Sequence, residues 1–287
     1  MSHERSIAIF GPGLLGGSLA LAVREVMPEC EIRIWGRRDE AVQDIQRRSL
    51  AHFASTDPAA VADGASFVVL ATPVTVMESV SSAIVGRLSP DAVVTDVGSV
   101  KQSVVSLLEP LFASRGHSFV GSHPMAGSDK AGIEAARHDL FKGASCIVTP
   151  TPQTSEAGVS RAIQFWQALG CRLLTMSPDD HDRKVARISH LPHAMAAAVV
   201  LAALRRDESA AQCTGNGFRD STRVAGGDPD LWTGILLENR SEVVSALEDV
   251  AAQTKELLAI ISRQDNEALR RFLAEAQRLR ALVPPGA

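Results

Sequence analysis

The chain is poor in the residues that build cross-linked, metal-bound or membrane-spanning proteins. Only four of its 287 residues are cysteine (Cys30, Cys146, Cys171 and Cys213), and they lie far apart with no CxxC pair. That argues against a disulfide framework or a zinc ribbon and fits a reducing compartment. Tyrosine is missing altogether, and aromatic residues reach only 4%. The longest apolar stretch, Ala194–Leu204, is too short to cross a bilayer, so no membrane association is expected. The formal net charge of −4 leaves no general basic surface for nucleic acid. The opening MSHERSIAIFG passes from charge straight into a strand-like run. No signal peptide is expected there, and the cytoplasm is the expected location.

Hydrophobic residues make up 45% and charged residues 22%, a globular balance for one or two domains. The first part alternates short apolar runs with longer amphipathic ones. Strands are expected over Ser6–Phe10, Glu31–Trp35, Ser66–Ala71, Ala92–Val97, Ser118–Val120, Ser145–Thr149 and Cys171–Thr175. Helical patterns fall between them, over Leu14–Glu25, Glu40–Ser49, Val74–Leu88, Lys101–Ser114 and Glu156–Leu169. Two-sided apolar runs such as SFVVLA suit strands covered on both faces, and the alternation implies a parallel sheet. After SPDDHD the strands stop. Asp179 and Asp180 suit a helix start, and Ala194–Leu204, Leu231–Ile261 and Asn266–Leu282 all read as helices. The expected architecture is an α/β, Rossmann-type doubly wound domain over residues 1–176, followed by an all-α domain over 177–287. Helices as apolar as AMAAAVVLAAL point to a homodimer through the second domain, although burial within one chain explains the same run.

Phe10 is followed by GPGLLG, Gly11 to Gly16, between the first strand and the first helix. Glycines there permit a tight turn and close approach of a diphosphate, and the helix N-terminus favours the anion. Gly11, Gly13, Leu14, Leu15 and Gly16 are therefore expected at the cofactor, with Thr72 and Pro73 of the loop after the next central strand. The second strand ends in WGRRDE, Trp35 to Glu40, where a cofactor with a free ribose 2′-hydroxyl usually meets a carboxylate. Arg37 and Arg38 suit a 2′-phosphate instead, which points to NADP over NAD. The competing reading leaves both arginines solvated and lets Asp39 reach the ribose.

Two further loops, DVGSVK (Asp96–Lys101) and GSHPMAGSD (Gly121–Asp129), also follow strands. Ligands of doubly wound sheets bind outside the carboxyl ends of strands, so Ser99 and His123 should face one crevice near the nicotinamide. A histidine that titrates near neutrality, beside a hydroxyl, is a sensible acid–base pair.

The ordered set GPGLLGGSLA, DVGSVK, GSHPMAGSDKAG, HLPHAMA, FRDSTRVA and DPDLW resembles the prephenate/arogenate (cyclohexadienyl) dehydrogenase family of tyrosine biosynthesis, from about Ile7 to Asn239. The resemblance implies oxidative decarboxylation of arogenate or prephenate, with hydride passing from C4 of the ring to nicotinamide. It implies that His123 bonds the ring hydroxyl, Ser99 assists it and Arg223 binds a substrate carboxylate. It places His193 in the substrate pocket, Trp232 in the pocket of its own or the partner subunit, and Asp129 near the entrance. Loss of carbon dioxide then aromatises the ring, while the protein supplies orientation and charge.

Blander readings stand beside these. His190 and His193 share a helix face and, with His181, invite a metal reading, but no known site has this spacing, and no metal is expected. His190 reads as structural. Arg223 can pair with Asp220 or Asp228, and Trp232 can be plain core. Another two-domain nicotinamide enzyme, such as a 3-hydroxyacid dehydrogenase, would rely on Lys184. A non-catalytic NADPH sensor would keep GPGLLG and the arginines without needing Ser99, His123, His193 and Arg223 together. No appended regulatory domain and no chorismate mutase segment are expected, and substrate choice between prephenate and arogenate stays open.

Overall fold

The protein is described by a computed structural model covering residues 4–127, 130 and 132–283. Asp129, expected near the pocket entrance, lies outside the described residues. In chain order the elements are β1 (Ser6–Phe10), α1 (Leu14–Val26), β2 (Glu31–Trp35), α2 (Asp39–Arg47), β3 (Phe53–Ser55), α3 (Pro58–Ala62), β4 (Phe67–Leu70), α4 (Val74–Ile84), β5 (Val93–Asp96), α5 (Gln102–Ala113), β6 (Ser118–Pro124), β7 (Ser145–Thr149), α6 (Glu156–Ala168) and β8 (Arg172–Thr175). There follow α7 (Pro178–Val185), α8 (Leu191–Leu204), α9 (Asn216–Thr222), α10 (Pro229–Glu238), α11 (Arg240–Ser262) and α12 (Asn266–Arg280).

The eight strands form one sheet in the order β3-β2-β1-β4-β5-β6-β7-β8. Alternation along the central strands explains why helices cover both faces. Ile7, Ile9, Phe67 and Val69 join Leu19, Phe165 and Trp166 on one side. Ala8, Phe10, Val68 and Leu70 join Met77, Ile84, Leu108 and Phe112 on the other. Burying each such large side chain contributes about 1.5–3 kcal/mol, and two full layers of them fix the sheet between its helices.

One expectation is corrected. The sheet is not wholly parallel: β6 pairs in parallel with β5 over Ser118–Val120, then antiparallel with β7 over Gly121–Pro124. His123 therefore lies inside a strand, opposite Ile147, rather than in a loop beyond it. Gly121 stands where the strand changes partners. A Cβ there would sit 2.5 Å from Thr149 Oγ1 and 2.7 Å from Val105 Cγ2, so the close approach requires glycine.

The helical half is also longer-limbed than its sequence suggests. α7, a π-helical turn (Ala186–His190) and α8 run on as one 27-residue helix, Pro178–Leu204. Pro192 has no N–H to give the turn before it, and the helix widens there. The whole run is long and apolar enough, by length and composition, to cross a membrane, which the stretch Ala194–Leu204 alone is not. Its first turns, however, carry Asp179, Asp180, Asp182, Arg183 and Lys184, and His181, Asp182, Val185, Ala186 and His190 are buried inside the protein. The expected single helix over Leu231–Ile261 is broken at Asn239, whose buried amide is used elsewhere.

Gly121→Ala should lower stability by about 1–3 kcal/mol through overpacking, read as a lower urea midpoint at unchanged slope. An unmoved midpoint would show that Thr149 and Val105 yield without cost.

Candidate active site

At the carboxyl ends of β1 and β4 the chain leaves a groove of about 800 Å³, lined by Gly11, Pro12, Gly13, Arg37, Arg38, Thr72 and Pro73 among others. Gly11 adopts φ +110°, a conformation that L side chains rarely enter, and donates its N–H to Trp35 O at 3.1 Å. A Cβ on Gly11 would lie 2.5 Å from Ala71 O, and one on Gly16 would strike Gly11 O. These two glycines bring turn, helix and neighbouring strand together. Gly13 differs: a Cβ there would meet nothing within 4 Å, because it faces the groove. Leu14 and Leu15 open α1, whose cap has no side-chain acceptor, so their N–H groups lack an intrahelical partner. Thr72 Oγ1 is buried without a hydrogen-bond partner. Free N–H groups, a cradle that a side chain would fill and an orphaned hydroxyl fit the diphosphate of a dinucleotide. Arg37 and Arg38 end the groove beside Glu40 and Asp44, while Asp39 heads α2.

The groove's lining includes neither Ser99 nor His123. They stand further along the same sheet edge, around a buried polar network. The Asp96 carboxylate, at the end of β5, accepts from Gly98 N at 2.8 Å, from Ser122 N at 3.0 Å and from the Lys101 ammonium. Lys101 is wholly buried and also donates to Ser122 O at 3.0 Å. This pair locks the DVGSVK loop, and with it Ser99, against β6.

His123 is 7% exposed. Its Nδ1 lies 2.9 Å from Nε2 of His181, whose Nδ1 lies 2.7 Å from Asp182 Oδ1. Asp182 also accepts from Lys101 N at 2.8 Å and Gln102 N at 2.9 Å, so one carboxylate of α7 caps α5 and holds a histidine. Burial pushes His123 well below the usual histidine range, reinforced by His181, Lys101 and His190. Burial likewise lowers His181, although Asp182 opposes it. Hydrogen bonds from His181, Gln102 N and Lys101 N hold Asp182 below the carboxylate range against its desolvation. His123 is thus neutral at neutral pH and free to accept a proton. His181, Asp182, Asp96 and Lys101 are missed by the sequence reading. The adjacent His–Asp pair after a helix start is the only local signal, and nothing in it names a partner 58 residues away.

The histidines of the long helix face different partners. His190 is buried, takes Asn239 Nδ2 on its Nδ1 at 3.2 Å and is pushed down to about 4 by burial. The same Asn239 amide donates to Asp182 O at 2.9 Å, so the break between α10 and α11 braces both histidine neighbourhoods. His193 stacks on Trp232 of its own chain, ring centroids 3.5 Å apart and 15° from parallel. Gly227 makes room for that stack, since a Cβ there would lie 2.6 Å from Trp232 Nε1 and 2.9 Å from His193 Cε1. Arg223 begins an exposed 3₁₀ turn. Among the described residues it pairs with neither Asp220 nor Asp228, and Asp228 spends its carboxylate capping α10. Lys184 is exposed on the outside of α7, 3.9 Å from Asp180, away from the network that holds His123.

Comparison with known proteins identifies the family. Residues 19–175 match the profile of the prephenate dehydrogenase nucleotide-binding domain, and residues 177–275 match that of the prephenate dehydrogenase dimerization domain. A cyclohexadienyl dehydrogenase of Zymomonas mobilis is 32% identical over 98% of this chain and 96% of its own length. A prephenate dehydrogenase of Bacillus subtilis is 31% identical over 97% of this chain and 76% of its own length. The crystal structure of the Aquifex aeolicus prephenate dehydrogenase, in complex with hydroxyphenyl propionate and NAD+, superposes with a TM-score of 0.90 at 33% identity, covering 96% of this chain and 97% of that one. Synechocystis arogenate dehydrogenase gives 0.81 at 30% identity, covering 96% of this chain and 99% of that one. A 3-hydroxyisobutyrate dehydrogenase of Salmonella typhimurium shares the fold alone, at 12% identity and a TM-score of 0.61. With both profiles matched in order and full-length relatives above 30% identity, the chain belongs to the prephenate dehydrogenase family, oxidoreductases of tyrosine biosynthesis.

Proposed function

We propose that the protein is a cyclohexadienyl dehydrogenase that oxidatively decarboxylates arogenate and/or prephenate, giving tyrosine or 4-hydroxyphenylpyruvate, with NADP preferred. The observation that carries this reading is a buried, neutral His123 inside β6, its Nδ1 2.9 Å from His181 Nε2. Residues 1–176 hold the nucleotide, and residues 177–287 hold the substrate and the second subunit. When bound, the nicotinamide accepts hydride from C4 of the ring. His123 takes the proton of the ring hydroxyl, and Ser99 orients that hydroxyl from the adjacent loop. Arg223 binds a substrate carboxylate through its fork, a role supported by its having no ion-pair partner among the described residues. His193 and Trp232 form an aromatic wall of the pocket. Loss of carbon dioxide then drains electrons into the developing ketone and leaves a phenol, so aromatisation makes the step effectively irreversible.

The NADP preference rests on Arg37 and Arg38 at the rim of the groove, where guanidinium groups bind a 2′-phosphate bidentately. NAD is the second cofactor, favoured by the carboxylates of Glu40 and Asp44 on the same rim and by the NAD+ of the Aquifex structure. A homodimer is supported by the apolar side chains that the helical half leaves exposed, including Leu201, Leu237, Leu258 and Ile261. Four free thiols suit the cytoplasm. Neither a membrane nor nucleic acid enters the proposal.

Two experiments test it. Reduced-cofactor absorbance, followed with NADP or NAD and with prephenate or arogenate, should show turnover in at least one of the four combinations. His123→Asn should cut that turnover by about 10²–10⁴-fold while NADPH binding survives, and Arg223→Ala should raise KM about tenfold or more. Tight NADPH binding with no turnover of either substrate would support a sensor instead. In the second experiment, Arg37→Asp with Arg38→Ala should move the ratio of kcat/KM toward NAD. An unchanged ratio would remove both arginines from cofactor choice.

A further inference from the structure

We propose that His181 and Asp182 form a relay that sets the tautomer of His123 and stabilises the positive charge it gains. The inference rests on the reading of His123 as the base. It follows from which atoms can carry hydrogen. An ionised carboxylate only accepts, so the 2.7 Å contact with Asp182 Oδ1 requires hydrogen on His181 Nδ1. A neutral His181 then has a bare Nε2. That atom lies 2.9 Å from His123 Nδ1, so the hydrogen between the two rings belongs to His123. His123 is left with a lone pair on Nε2, the one atom of its ring able to take a proton. The opposite tautomer would turn a ring lone pair against the Asp182 carboxylate.

The surrounding charges agree. Lys101 and Asp96 neutralise each other in a buried ion pair, and burial keeps His190 neutral. Cys146, facing Pro124 across the β6–β7 ladder, is an undissociated thiol. Among the described residues, the negative charge touching the relay is that of Asp182. When His123 gains the substrate's proton on Nε2, its Nδ1 hydrogen can shift to His181 Nε2. The charge then rests on an imidazolium paired with Asp182, which stays ionised. Four ring nitrogens of two packed imidazoles thus lie between the accepted proton and its counter-charge, with no water required between them.

His181 and Asp182 are positioning residues, and the test reads more than loss of rate. Nitrogen-15 NMR of the histidines in the full-length wild-type protein at neutral pH should find hydrogen on Nδ1 in both His123 and His181, assigned by the signals lost in His123→Asn and His181→Gln. Hydrogen on Nε2 of His123 would overturn the proposal in the unaltered enzyme. Asp182→Asn, with its amide nitrogen in the place of Oδ1, keeps an oxygen for Gln102 N but gives up the acceptor shared by Lys101 N and His181 and offers His181 an N–H, which reverses both tautomers. With NADP and whichever of prephenate or arogenate the wild type turns over, kcat should fall by about 10²–10³-fold while KM stays within about twofold. The acid limb of its pH profile should move to lower pH, because the relay loses the anion that favours its protonated form. His181→Gln, which keeps an acceptor for the His123 Nδ1 hydrogen, should lose only about tenfold. Rates near wild type, or a reduced rate with an unmoved acid limb, would assign Asp182 to helix capping alone. Failure of the base reading looks different: His123→Asn itself would then remain active.

Discussion

The Asp182 carboxylate is the constraint on which the rest of the site depends. It belongs to the first long helix of the helical half, yet two of its hydrogen bonds come from backbone N–H groups of α5 in the nucleotide half. Its third partner is His181, and its own carbonyl accepts from Asn239. One short side chain thereby fixes the angle at which the two halves meet. An anion with three donors at a helix N-terminus is where a buried carboxylate is least costly. Removing it would leave the α5 N–H groups and His181 each short of a partner, which is why the geometry of His123 cannot be separated from how the halves are joined.

Beneath that joint lies a second buried charge pair, Lys101 with Asp96. Such a pair contributes little net stability, since desolvation offsets most of the attraction. What it does contribute is direction. Asp96 accepts from the N–H groups of Gly98 and Ser122, and Lys101 donates to Ser122 O, so β5, the Ser99 loop and β6 are tied at the point where β6 changes partner. An apolar pair of equal volume would fill the same space without specifying that register.

Much of this was legible in the residues. GPGLLG between β1 and α1, the alternating order of elements and the strand-end position of SHPMAG all follow from turn chemistry and periodicity, which are local properties. What escaped was not local. β3 and α3 are too short for a periodic signal. Strand direction leaves no mark on a hydrophobic pattern, so the antiparallel β6–β7 ladder was unreadable, and Gly121–Pro124 looked like a loop because glycine, serine and proline are poor strand formers. Asp182 was indistinguishable from Asp179 and Asp180, a third acid at a helix start, until the fold set it against α5. Lys101 and Asp96 bound the DVGSVK loop, and nothing local marks them as a buried pair, since charged residues are usually solvated.

The fold neighbours show why the site, and not the architecture, carries the chemistry. A 3-hydroxyisobutyrate dehydrogenase shares this arrangement of sheet and helices at 12% identity. A base on the helical half would need Lys184 turned inward, but that side chain is exposed beside Asp180. The buried, directed nitrogen belongs instead to a strand of the nucleotide half, and the helical half supplies the groups that orient it. That division has a consequence. The nucleotide half alone presents His123 with an undefined tautomer, and the helical half alone presents His181 and Asp182 with nothing to act on. On the proposed reading, proton acceptance is a property of the joint between the halves, because the ring that takes the proton and the groups that set its tautomer come from opposite sides of it.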